Sequence, residues 1–224
     1  MNSKQNLALF DLDNTLLAGD SDYNWSLFLI SAGLLDAKTH HDRNEQFYAD
    51  YKAGQLNIVE FLKFQLKPLS EHPKAFLDEL HLKYMQKIIR PIMTTKAQNL
   101  VDKHKAAGDL CVVITATNSF VTKPIATAYG IEHLIGSDPE MLNGQYTGGV
   151  TGVPSFQEGK VTRINQFLTE RGQHLSDFEM SYFYSDSHND LPLMQLVTNP
   201  VAVDADEILT AYAQEQAWPQ ISLR

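Results

Sequence analysis

The stretch Leu7-Ala8-Leu9-Phe10-Asp11-Leu12-Asp13-Asn14-Thr15 sets four apolar residues against an abrupt polar turn that carries two acids two positions apart. An apolar run this short that stops on an acid reads as a buried strand whose end opens into a polar loop. Three later runs repeat the pattern. Leu110-Cys111-Val112-Val113-Ile114 stops at Thr115, Tyr182-Phe183-Tyr184 stops at Ser185-Asp186, and Val201-Ala202-Val203 lies between Pro200 and Asp204. Helical patterns separate them, at Lys96 to Ala107, Phe120 to Tyr129, Lys160 to Glu170 and Leu191 to Val197, the first three followed by Gly108, Gly130 and Gly172. Strands alternating with such helices predict an α/β fold with a parallel sheet covered on both faces.

One region breaks the alternation. Helical patterns run over Trp25 to Ala32, His41 to Tyr51, Ile58 to Gln65 and Pro73 to Ile89 with no strand among them. This predicts an all-helical insert between the first two strands, with Arg90-Pro91 as its exit, because a residue before proline is biased away from helix. The expected division is a core of residues 1–17 and 91–224 and a helical cap of 18–90. Between Ile131 and Glu158 the pattern is irregular, and Asn143-Gly144 predicts a small β-hairpin.

Composition narrows the function. The chain has 224 residues and a net charge of −9, with no basic run, which argues against nucleic-acid or anionic-membrane binding. No segment approaches the roughly 18 apolar residues of a membrane span, and the start does not read as a signal peptide, so a cytoplasmic location is the default expectation. Cys111 is the single cysteine, so no intrachain disulfide forms, and zinc-ligand spacing is absent. Cys111 falls in a predicted central strand and is expected to pack rather than react.

Four polar clusters carry chemistry, and strand ends of a parallel sheet are where ligands bind. In the first, Asp11 can attack phosphorus and Asp13 can protonate the leaving oxygen and later activate water; the plainer alternative is that Asp13 and Asn14 cap a turn. In the second, Thr115 can hydrogen-bond a phosphate oxygen or act as a plain N-cap. In the third, Lys160 at a helix start can balance phosphate charge or sit on the surface. In the fourth, Asp186 and Asp190, four apart, can hold a hard cation such as Mg2+ or simply cap the next helix. The order Asp-x-Asp-x-Thr, strand-terminal Thr, Lys and Asp-x-x-x-Asp is far more specific than any of its parts.

These residues resemble the motifs of the haloacid dehalogenase superfamily over the whole chain, and Phe156-Gln157-Glu158-Gly159-Lys160 with the helical insert resembles its phosphoserine phosphatase-like branch. The resemblance implies a Rossmann-like core with an α-helical cap. It implies Asp11 as nucleophile and Mg2+ ligand, and Asp13 as general acid/base whose backbone carbonyl also binds the metal. Asp186 becomes the third protein ligand, Thr115 and Lys160 phosphate binders, Asp190 the group that orients Lys160 or a metal-bound water, and Asn189 a residue near the phosphate. Ser185 replaces the glycine often found before the fourth-motif aspartate. An acid at position 13 favours phosphate esters over dehalogenation. Phosphonate cleavage would need a cap lysine, and nothing singles out Lys38, Lys52, Lys63 or Lys67.

The expected activity is that of a magnesium-dependent phosphatase of a small phosphorylated metabolite, acting through an aspartyl phosphate. Asp20, seven residues after Asp13, matches a position where phosphoserine phosphatases contact the substrate amine, so a substrate such as phosphoserine or histidinol phosphate is expected; alternatively Asp20 caps the first cap helix. Arg43 could clamp a substrate carboxylate, while Tyr23 and Trp25 are read as cap core more readily than pocket wall. His188 is read as an exposed loop histidine, and Trp218-Pro219 as packing on the core. The alternatives are a phosphotransferase using the same aspartyl phosphate and an inactive phosphometabolite-binding protein. A phosphorelay receiver is disfavoured, because its phosphorylated aspartate follows a later strand and it has no insert. Oligomeric state is not legible.

Overall fold

Seven strands make one sheet in the order β4-β3-β2-β1-β5-β6-β7. They are β1 (Leu7–Phe10), β2 (Leu110–Asn118), β3 (His133–Leu142), β4 (Gln145–Thr151), β5 (Ser181–Ser185), β6 (Asn199–Val203) and β7 (Gln220–Ile221) in a computed structural model that describes residues 5–224. All neighbours pair in parallel except β3 with β4. The chain starts at central β1, builds outward through β2 and β3, then returns to β1's other side for β5, β6 and β7. That reversal makes the carboxyl end of β1 the switch point where such sheets form a ligand crevice.

Alternation along the strands divides the core. Ala8, Phe10, Cys111, Val113 and Tyr184 face one layer, with Ala97 and Val101 of α6 (Thr95–Ala106) and Val121 and Ile125 of α7 (Ser119–Ala128). Leu7, Leu9, Val112, Ile114 and Phe183 face the other. There they meet Ile164 and Leu168 of α8 (Glu158–Glu170), Leu193 and Met194 of α9 (Leu191–Met194), and Leu209 and Ala213 of α10 (Glu207–Glu215). Each of the buried Val, Leu, Ile, Phe and Met side chains contributes about 1.5–3 kcal/mol. Trp218 packs against this second layer, and Cys111 is buried beside the first. Burial pushes the Cys111 thiol up to about 11, so it stays protonated at neutral pH.

Between β1 and β2 lie α1 (Ser21–Ser31), α2 (Ala37–Lys52), α3 (Ile58–Ser70), α4 (Lys74–Tyr84) and the short α5 (Arg90–Ile92). They share two cores. Trp25 and Leu29 of α1 and Tyr84 at the end of α4 join the sheet's first layer, whereas Leu62, Leu66 and Leu69 of α3 with Leu77 form a separate cluster against Tyr146 and Val150 of β4. The two crossings between sheet and helices lie side by side: Leu17 bridges Met93, and Ala18 N–H donates to Ile92 O at 2.8 Å. No helix among the described residues is long and apolar enough to cross a membrane.

One expectation is corrected and one is extended. Arg90-Pro91 does not end the helical segment, because Arg90 is helical (φ −52, ψ −43) and the chain turns extended at Met93. The turn Met85–Ile89 widens so that Arg90 N–H reaches Met85 O, and this looser turn makes room for the proline ring. The region 131–158 does hold a hairpin, but its first arm is also a sheet strand: His133, Leu134 and Ile135 pair with Val112, Val113 and Ile114.

Candidate active site

Each motif sits on the loop its strand delivers. After β1 the backbone turns sharply through Leu12–Leu16, with Leu17 N–H bonded to Leu12 O. Asn14 takes a left-handed conformation (φ 53), which asparagine tolerates better than most residues. The turn carries Asp11 and Asp13 to the mouth of the sheet. Lys160 reaches the same place from α8. Its neighbour must be small, since a Cβ on Gly159 would collide with Pro154 O.

The buried Lys160 ammonium donates to Asp11 Oδ1 at 2.8 Å and to the Asp190 carboxylate at 2.7 Å. Ser185 Oγ donates to Asp190 at 2.6 Å, so the serine in place of the family's glycine holds the acid that steers the lysine. Burial lowers the lysine's proton affinity, but the two carboxylates outweigh it and keep the ammonium charged. Asp11 is pushed up to about 7, mainly by burial and further by Asp190, against the pull of Lys160. Asp13 also rises to about 7, through burial and the charge of Asp20. Its two oxygens accept from Ser21 N–H at 2.6 Å and Thr117 Oγ1 at 2.8 Å.

Asp186 joins this group through Thr15. The Thr15 hydroxyl lies 2.9 Å from Asp186 Oδ1 and 3.3 Å from Asp11 Oδ2, and it accepts from Asp186 N–H at 3.0 Å. Burial and the Asp11 charge hold the Asp186 carboxyl well above its ordinary value. Asp11, Asp186 and Asp190 therefore face one another with a single lysine between them, a surplus of negative charge that suits a divalent cation. No three His, Cys, Asp or Glu side chains form a metal cage among the described residues. Two carboxylates suffice for magnesium, which binds through few carboxylates and keeps its waters.

A pocket with about 850 Å³ of open space, its mouth included, lies over these groups. Asp11, Asp13, Thr115, Thr117, Lys160 and Asp190 line the sheet side, and Asp20, Asp22, Asn44 and Gln65 the helical side. Phe47, Tyr48, Tyr51, Phe61 and Phe156 supply aromatic wall. Thr115 is buried there, its Oγ1 accepting from Thr117 N–H at 3.2 Å. Asp20 both lines the pocket and N-caps α1, its Oδ1 accepting from the N–H groups of Asp22 (2.9 Å) and Tyr23 (2.8 Å). Tyr23 is pocket wall, whereas Trp25 packs on Phe28, His81, Tyr84 and Phe120.

Three residues sit elsewhere than the sequence implied. Arg43 does not reach the pocket: it lies over the Phe47 ring at 4.4 Å and 3.6 Å from Glu60, on the outer side of α2. Asn189 is turned to the insert, accepting from Gln157 Nε2 at 2.8 Å and donating to Tyr51 O at 3.0 Å. His188 is half-buried and paired with Asp206 at 2.8 Å. Thr117 was missed, although it lies two residues after Thr115 along the same strand. Ser187, which accepts from Tyr51 Oη at 2.8 Å, had no signal in the sequence, since its partner is 136 residues away.

A family model described as haloacid dehalogenase-like hydrolase matches residues 8–195. A histidinol-phosphatase of Neisseria meningitidis serogroup C is 46% identical over 98% of this chain and 100% of that protein. The crystal structure of a protein of unknown function from Bordetella pertussis superposes with a TM-score of 0.94 at 46% identity, covering 99% of this chain and 100% of that one. A substrate-bound phosphoserine phosphatase has the same fold, with a TM-score of 0.70 at 17% identity over 100% of this chain and 95% of that one. The chain belongs to the haloacid dehalogenase-like hydrolase family.

Proposed function

We propose that the chain is a magnesium-dependent phosphatase for a small phosphomonoester that bears an amine and no carboxylate, with histidinol phosphate as the leading substrate. The observation that carries this reading is the charge pattern of the pocket. Lys160 is its one cationic lining residue among the described residues, and Asp11 and Asp190 already engage it. With Arg43 outside, nothing in the lining would pair a substrate carboxylate, which disfavours phosphoserine. The acids Asp20 and Asp22 and the aromatic wall suit an ammonium and a flat ring. The name of the relative from Neisseria agrees with this chemistry.

In this reading an Asp11 oxygen attacks phosphorus, the P–O ester bond breaks, and Asp13 gives its proton to the leaving alkoxide. Asp13 then takes a proton from water as the water attacks the aspartyl phosphate, releasing phosphate and restoring Asp11. A carboxyl near 7 suits a group that must both give and take a proton at neutral pH. Thr117 and Ser21 fix its orientation. Lys160 and Thr115 bind the phosphoryl oxygens. Asp11, Asp186 and the Asp13 carbonyl would hold Mg2+, which when bound neutralises phosphoryl charge. Residues 18–90 act as a cap that excludes water and carries specificity.

The test is phosphate release from histidinol phosphate and phosphoserine, with magnesium or with chelator, for the wild type and Asp11→Asn. Release that favours histidinol phosphate, needs magnesium and falls on the order of 10³-fold or more in the variant is expected. Equal activity of the two proteins would remove Asp11 as nucleophile, and a preference for phosphoserine would remove the substrate assignment.

A further inference from the structure

Asp22 sits in the first turn of α1 and is 4% exposed, yet it lines the pocket. Its Oδ1 accepts from Asn118 Nδ2 at 3.2 Å, and its Oδ2 is buried with no hydrogen-bond partner. A buried carboxylate oxygen without a donor is costly, and native structures seldom leave one so without a reason. The neighbouring polar groups bond mainly to one another. Ser26 Oγ donates to Gln65 Oε1 at 3.0 Å, and Gln65 Nε2 is directed to Asn44 Oδ1 at 3.4 Å. The Gln65 side chain also lies close enough to Asp22 to ease its charge, without reaching Oδ2 as a bonded donor. The adjacent acid is differently employed, since Asp20 N-caps its helix through the N–H groups of Asp22 and Tyr23. Asp22 performs no such backbone service.

We propose that Asp22 is the specificity-determining residue of this pocket, its free carboxylate oxygen receiving the ammonium group of an aminoalkyl phosphate. The inference rests on the phosphatase reading above and adds to it the group that selects the substrate. An ammonium brings both what Oδ2 lacks, a donor, and what the helical side of the pocket lacks, a positive charge. Phe47, Tyr51 and Phe61 then bound the remainder of the substrate, so the preferred leaving group is an amino alcohol with a flat, weakly polar substituent. Asn118 links this carboxylate to the end of β2, on which Thr115 and Thr117 stand. The amine site and the phosphate site are thereby held by the same strand. Ammonium and phosphate are gripped at opposite walls, and the spacing between them is set by the fold.

The experiment compares histidinol phosphate with its deaminated analogue, imidazolylpropyl phosphate, for the wild type and Asp22→Asn at saturating magnesium. The wild type is expected to favour the ammonium ester on the order of 10- to 100-fold in kcat/KM, the size of a charged hydrogen bond. In Asp22→Asn, which keeps the shape and the bond from Asn118, that ratio should fall to within a few-fold of one, chiefly through KM. An unchanged ratio, with both activities falling together or neither, would assign Asp22 a purely structural role and overturn the proposal. A second measurement needs no variant: histidinol should inhibit the wild type at least about ten-fold more strongly than the deaminated alcohol, and equal inhibition overturns the proposal. Phosphate release that depends on Asp11 but ignores the ammonium removes only the role of Asp22. Release that persists in Asp11→Asn removes the phosphatase reading itself.

Discussion

On the sheet side of the pocket every carboxylate is held by donors, whereas on the helical side Asp22 keeps one oxygen without a donor. Asp11 and Asp190 share Lys160, Ser185 supports Asp190, Thr15 bridges Asp11 and Asp186, and Thr117 with Ser21 holds Asp13. Of the five buried side-chain polar atoms left without a partner among the described residues, Asp22 Oδ2 is the one that belongs to a pocket-lining residue; those of Ser21, Trp25, His40 and Ser155 do not. The contrast follows from what each side has to do. Groups that act on phosphorus gain by being fixed before the substrate arrives, because reorganisation during the reaction adds to the barrier. A wall that recognises a substrate leaves polar groups open for it, and loses stability until it comes.

The largest test of the sheet side is removal of its one cation. Lys160→Ala leaves Asp11 and Asp190 buried against each other, and breaking a buried ion pair from one side typically costs about 3–5 kcal/mol. Urea unfolding in chelator should show a destabilisation of that size, and phosphatase activity should drop on the order of 10²- to 10⁴-fold. An unchanged unfolding midpoint would mean that water or protonation already satisfies the carboxylates, and the preorganised picture would fail.

The helical side predicts the opposite sign. Burial above all, then the charges of Asp20 and Asp13, holds the Asp22 carboxyl well above the usual carboxylate range. A carboxyl whose folded value is raised stabilises the fold fully below its unfolded value and loses that contribution as pH rises through the folded value. The free protein should therefore gain from losing this charge. Asp22→Asn should unfold a few degrees higher than the wild type at pH 8, on the order expected for a ~1 kcal/mol change, and the gain should shrink toward pH 4. A variant less stable at pH 8 would show that Asp22 is structurally satisfied and that the two sides do not differ.

The same division explains what could be read from the sequence. The α/β core, β1, β2, β5 and β6 and the clusters at their ends were legible, because a strand that stops on a polar residue marks itself locally. Strand β3 was hidden by Gly136, yet that glycine is what the sheet needs: a Cβ there would lie 3.0 Å from Thr117 O, beside the irregular pairing of β2 and β3. Two-residue β7 offers no periodicity to detect. On the helical side, composition named plausible substrate contacts but not their directions. A surface helix shows which residues are polar without showing which of its faces meets another element, so the sequence pointed to Arg43, which the fold turns away from the pocket, and gave no ground for choosing Asp22.

Arg43 therefore supplies the finest test of the contrast, and the smallest expected effect. It lies 3.6 Å from Glu60, with side chains 47% and 62% exposed, and such exposed pairs are worth at most about 1 kcal/mol. Its guanidinium also covers the Phe47 ring, whose other surroundings include Phe61 and Phe64. Phe47 lines the pocket, so Arg43 touches the substrate wall only through the back of that ring. Arg43→Ala should leave kcat/KM for histidinol phosphate within about two-fold and lower the unfolding midpoint slightly, since little binding energy passes through a packed aromatic ring that keeps its place. A loss of ten-fold or more, confined to substrates that carry a carboxylate, would instead mean that α2 turns to bring the guanidinium inward when such a substrate binds. The helical wall would then carry a cation after all, and the exclusion of carboxylates, on which the choice of histidinol phosphate over phosphoserine rests, would have to be withdrawn.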